Sequence, residues 1–71
     1  MSLAQRLREA RTAKNYTYGE LARLAGIPSR QTVYNIEAGR QVASIDQVAK
    51  LAAALGVSPA WLAFGIEESK C

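Results

Sequence analysis

The chain has 71 residues, 49% of them hydrophobic, with a net charge of +3, one cysteine and no histidine. That length accommodates one domain and no separate catalytic or ligand-sensing domain. Cys71 alone cannot form an internal disulfide, and without histidine no zinc set can be assembled. The apolar runs are too short for a membrane span, and "SLAQRLREAR" is charged too early for a signal peptide. A cytoplasmic protein without a cofactor is expected.

The first predicted helix covers about Ser2 to Lys14. Leu3, Leu7 and Ala10 recur at the spacing of one buried stripe, with Arg6 and Glu9 expected to face water. Helix 2, about residues 18–25, opens at "YTYGEL". Thr17 is the N-cap, Glu20 completes a capping box, and Tyr16 and Leu21 occupy the hydrophobic-staple positions. Leu21, Leu24 and Ala25 are expected on its inner face, and Gly26 ends it as a left-handed cap. Pro28 then biases Ile27 away from helical angles and marks a turn.

Ser29 caps helix 3, about residues 30–38, and Gly39 ends it. Ser44 and Gln47 repeat the capping box before helix 4, whose stripe reads Ile45, Val48, Leu51, Ala52 and Leu55. Gly56 stops that helix. Ser58 and Pro59 start helix 5, where the missing proline amide is not needed. Gly65 closes helix 5, and residues 66–71 form a short C-terminal tail expected to fray. With no β-rich alternating run, these signals predict an all-α, compact five-helix domain over residues 1–65.

Charge is uneven along this framework. Residues 1–40 carry Arg6, Arg8, Arg11, Lys14, Arg23, Arg30 and Arg40 against Glu9, Glu20 and Glu37, a net +4. Residues 41–71 carry Lys50 and Lys70 against Asp46, Glu67 and Glu68, a net −1. A basic half of this kind points to a polyanionic partner.

Helix 3 sharpens the inference. At about 100° per residue, Arg30, Tyr34, Ala38, Gln31 and Asn35 share one face, while Val33 and Ile36 point away from it as aliphatic anchors. Arginine can donate two bonds to guanine, and glutamine or asparagine can bond adenine bidentately. The small Ala38 keeps the face slim enough for a groove about 12 Å wide.

"LARLAGIPSRQTVYNIEAGR" followed by "SIDQVAKLAAALGVSPAWL" resembles the helix-turn-helix domain of lambdoid phage repressors and Cro proteins, the xenobiotic-response-element family of bacterial and phage regulators. The resemblance covers about residues 3–65. It implies a lambda-repressor-like DNA-binding domain whose recognition helix 3 lies in the major groove of double-stranded operator DNA. Arg30, Gln31 and Asn35 match base-reading positions. Ser29, Thr32 and Tyr34 match positions that touch phosphates or the groove wall, Thr17 and Tyr18 match the start of helix 2, and Arg40 lies in a phosphate-following loop. Arg11 and Glu37 match an internal ion pair of some relatives. The interval between Gly26 and Arg30 holds Ile27, Pro28 and Ser29, one residue more than the family usually has.

One helix reads few base pairs, so a homodimer on a near-palindromic operator is implied, with RNA polymerase blocked or recruited. Trp61 is expected in the core. Phe64 and Ile66 are the dimer-interface candidates, and the resemblance also places the dimer contact near helix 5. An enzyme is disfavoured, since there is no glycine-rich phosphate loop, metal spacing or rigid acid–base pair. The other reading is an antitoxin or adaptor that uses this fold mainly to grip a partner protein.

Overall fold

The computed structural model describes residues 2–65. Five helices follow in chain order: α1 (Leu3–Ala13), α2 (Tyr18–Ala25), α3 (Arg30–Glu37), α4 (Ile45–Leu55) and α5 (Pro59–Phe64). No strand occurs among the described residues. Each helix begins where a hydroxyl side chain takes over an orphan amide. Ser2, Thr17 and Ser44 form reciprocal capping boxes with Gln5, Glu20 and Gln47, while Ser29 and Ser58 cap α3 and α5. α3 stops one residue short of the predicted end, with Ala38 as its C-cap.

The core is a contiguous set of aliphatic side chains. Leu7, Leu21, Val33, Ile36, Leu51, Leu55 and Leu62 are essentially inaccessible to solvent and come from all five helices. Each contributes roughly 1.5–3 kcal/mol by leaving water. Val33 and Ile36 thus fasten α3 through one side, and the side carrying Arg30 and Gln31 is left exposed. Tyr16 and Trp61 are half-buried against the core rather than inside it.

Three expectations about facing are corrected. Arg6 is not solvated; it is 7% exposed and lies under α5. Its Nε donates to the Leu62 carbonyl at 3.0 Å and its Nη2 to the Ala63 carbonyl at 3.0 Å. A cation at a helix C-terminus meets unbonded carbonyls and the negative end of the helix dipole, which makes burial tolerable. Leu24 is 55% exposed, because α2 turns Leu21, Ala22 and Ala25 inward and Leu24 falls off the edge of that arc. Ile45 is 90% exposed. As the first residue of α4 its side chain leans toward the helix N-terminus, past the end of the core.

Candidate nucleic-acid interface

The turn between α2 and α3 is fixed by local chemistry. Gly26 adopts φ +73°, which a β-carbon would disfavour. The Ile27 amide reaches back to the Ala22 carbonyl at 2.8 Å, closing α2 in a Schellman-type cap. Ile27 is buried and anchors the turn, while Pro28 is exposed. α3 begins at Arg30, directly after its cap Ser29.

The predicted contact residues occupy different situations. Arg30 and Gln31 are exposed on the first turn of α3, and Thr32 and Asn35 are half-buried. Gln31 Nε2 donates to Asn35 Oδ1 at 3.0 Å. The Ser29 hydroxyl already accepts from the Gln31 amide at 3.1 Å, so its first duty is capping. Thr17 is likewise engaged. Its hydroxyl accepts from the Glu20 amide at 3.1 Å and its own amide donates to Glu20 Oε1 at 2.8 Å. Among the orphan amides of α2 this leaves those of Tyr18 and Gly19 for an anion.

Behind α3 runs a row of charge and aromatic contacts. Arg11 Nε meets Glu37 Oε2 at 2.6 Å and Arg11 Nη2 meets Glu37 Oε1 at 3.2 Å, while Nη1 donates to the Tyr16 carbonyl at 2.7 Å. The same guanidinium lies 4.4 Å from the centre of the Tyr18 ring. Tyr18 and Tyr34 pack edge to face, with ring centres 5.5 Å apart and planes at 80°. Arg40 is exposed, 6.0 Å from the Tyr34 ring centre, and its amide bonds the Asn35 carbonyl at 2.9 Å. Tyr18 and Tyr34 therefore link the partly buried ion pair to the exposed arginine at the far end of α3.

Two further residues belong to this surface. Arg8 lines a cleft of about 250 Å³ together with Tyr18, Tyr34, Glu37 and Ala38. Its position three residues before Arg11 on α1 was the available sequence signal. Gly19 stands second in α2, where an absent side chain bares the free amides. Its sequence signal was only its place two residues after a cap.

A second, apolar surface lies away from α3. Leu3, Ile45, Ala49, Pro59, Ala60 and Phe64 border a groove of about 550 Å³ formed without α2 or α3. Phe64 is 75% exposed there. Ile66, the other interface candidate, and Cys71 lie outside the described residues. No helix among the described residues is long and apolar enough to cross a membrane.

A capped helix, a glycine turn and a second helix presenting exposed polar side chains define a helix-turn-helix domain. The chain belongs to the helix-turn-helix family, which it matches over residues 7–62. It is 39% identical over 64 residues to the HTH-type transcriptional regulator PrtR of Pseudomonas aeruginosa, a match covering 90% of this chain but 24% of that protein. It is also similar to the crystal structure of the restriction-modification controller protein C.AhdI from Aeromonas hydrophila. That match has a TM-score of 0.80 and 42% identity, and covers 84% of this chain and 89% of the other.

Proposed function

We infer that this protein is a sequence-specific double-stranded DNA-binding transcription regulator, acting as a cytoplasmic repressor without catalytic activity. The observation that carries this reading is the division of α3: Val33 and Ile36 are buried, while Arg30 and Gln31 are exposed on its first turn. Residues 1–65 form the binding domain. α3 enters the major groove, where Arg30 and Gln31 address base edges and Asn35 stands beside them on the same face. Tyr18, Thr32, Tyr34 and Arg40, with Thr17 and Ser29 through the helix ends they cap, follow the phosphates and sugars. The similarity to two proteins described as a transcriptional regulator and a controller supports this assignment.

The protein acts as a homodimer on a near-palindromic operator and represses by occupancy, blocking RNA polymerase. The groove beside Phe64 supports the dimer, being apolar and formed without the recognition helix. The free dimer is weak, and DNA tightens it. Selection of bound duplexes from a random pool tests the reading. A two-fold symmetric site with half-sites about one helical turn apart is the expected result. Recovery of no preferred sequence at low salt would reject it.

A further inference from the structure

We propose that Gln31 and Asn35 read the operator as one unit, with Gln31 touching an adenine and Asn35 acting as the positioning residue that fixes the Gln31 amide. This deepens the DNA-binding reading above and rests on it. Gln31 Nε2 donates to Asn35 Oδ1 at 3.0 Å across one turn of α3. Residues four apart on a helix are neighbours on one face, so the bond follows from the spacing. Gln31 is exposed and Asn35 half-buried, which makes Gln31 the outer member of the pair.

The chemistry of the amide gives the pair its direction. A glutamine carboxamide carries two N–H donors and an oxygen with two lone pairs. One Nε2 hydrogen is engaged by Asn35. The other, together with Oε1, forms the donor–acceptor edge complementary to N7 and the N6 amino group of adenine. A free glutamine amide rotates broadly about its last torsion and presents that edge in either sense. In the observed pairing the Asn35 oxygen accepts, and that pairing holds the Gln31 edge in one sense before DNA arrives. Such ordering of a side chain in advance lowers the entropic cost of binding. Asn35, in turn, has already engaged the oxygen it would offer to an adenine amino group. Both residues suit base contact by type, but the geometry assigns them unequal parts.

The test is selection from a randomised duplex pool by the wild type and by Gln31→Ala, Asn35→Leu, Asn35→Asp and the Gln31→Ala/Asn35→Leu double variant, each confirmed folded by thermal melting. Two independent readers four residues apart would govern different base pairs; a coupled unit governs one. The wild type should require an A·T pair at one place in each half-site. Gln31→Ala should relax that place by roughly 5- to 150-fold. Asn35→Leu should relax the same place by less, and the double variant no further than Gln31→Ala. Asn35→Asp retains an acceptor and should recover the A·T preference there, even as its negative charge lowers affinity for every duplex. A merely structural asparagine would not be rescued in this pattern. If Asn35→Leu relaxes a different base pair, or none, the coupling is overturned while DNA reading stands. If the wild type selects no sequence, both fall.

Discussion

Arg11 and Glu37 are joined by two nitrogen–oxygen contacts, of 2.6 and 3.2 Å, that tie α1 to the last turn of α3. Their side chains are 13% and 4% exposed. Breaking such a pair strands a charge, which costs about 3–5 kcal/mol, against a total stability for a domain of this size of a similar order. Arg11→Ala should therefore lower the melting temperature far more than Arg8→Ala, whose side chain lies at the exposed rim of a cleft. Replacing both partners, as Arg11→Met with Glu37→Leu, should recover much of the loss, because an apolar pair leaves no charge unpaired. Equal melting of the Arg11→Ala and Arg8→Ala proteins in calorimetry would remove the ion pair from any account of how α3 is held.

Arg6 closes α5 from the other end of the fold. Its bonds to the Leu62 and Ala63 carbonyls make the last turn of α5 depend on α1. Arg6→Met should cost about 1.5–3 kcal/mol, the range for hydrogen bonds involving a charged group. Arg6→Lys should recover only part of it, since an ammonium lacks the planar fork. Gly65→Ala should also destabilise. Its φ is +75°, and a β-carbon there would stand 3.0 Å from Arg6 Nη1. Urea denaturation midpoints check all three, and an Arg6→Met midpoint matching the wild type would show that the cap contributes nothing.

Those two arginines show what the sequence made legible and what it did not. Helix number, order and caps could be read because Thr17, Ser29, Ser44 and Ser58 act on amides a few residues away. The inward side of α3 could be read because Val33 and Ile36 have no polar competitor for the core. The fate of Arg6 could not, because periodicity scores a cation as solvated and its carbonyl partners lie 56 and 57 residues away. Ile45 and Leu24 misled for a related reason: a stripe records chemistry but not where the neighbouring helix ends. The bond between Gln31 and Asn35 lay in between, since their spacing permitted it but the rotamers decided it.

Arg30 and Arg40 stand at opposite ends of α3 and should fail differently. Arg30 is exposed on the first turn, whereas Arg40 follows the helix beside Tyr34. Arg30→Ala should cost about 1–3 kcal/mol on the preferred duplex and relax one base position. Arg40→Ala should weaken all duplexes alike and reduce the slope of log affinity against log salt by about 1. Fluorescence anisotropy titrations on matched and mismatched duplexes at several salt concentrations separate the two. Identical behaviour of both variants on every duplex would show that the division into base reader and phosphate anchor is wrong.

Gly19 offers an opposed pair of effects. A β-carbon at this position would meet only the Thr17 hydroxyl, at 4.0 Å, so Gly19→Ala fits without strain. Alanine is the better helix former, and the variant should melt at the same temperature or higher, by up to about 1 kcal/mol of stability. If the Tyr18 and Gly19 amides hold a phosphate, the added methyl should nevertheless weaken DNA binding several-fold, because it crowds the helix end that anions approach. Unchanged affinity in a variant of equal or greater stability would place the phosphate elsewhere.

Phe64 tests the proposed dimer without disturbing the core. With three quarters of its surface exposed, it contributes little to folding, so Phe64→Ser should leave melting nearly unchanged. The same substitution removes a large aromatic group from the rim of the groove that Ile45 and Pro59 also line. Sedimentation should show the weak self-association of the wild type lost in Phe64→Ser, and in Ile45→Asn as a second, independent change in the same groove. Affinity for a symmetric operator should then approach that for an isolated half-site, since the second α3 is no longer delivered with the first. Wild-type self-association by both variants would move the dimer contact away from this groove.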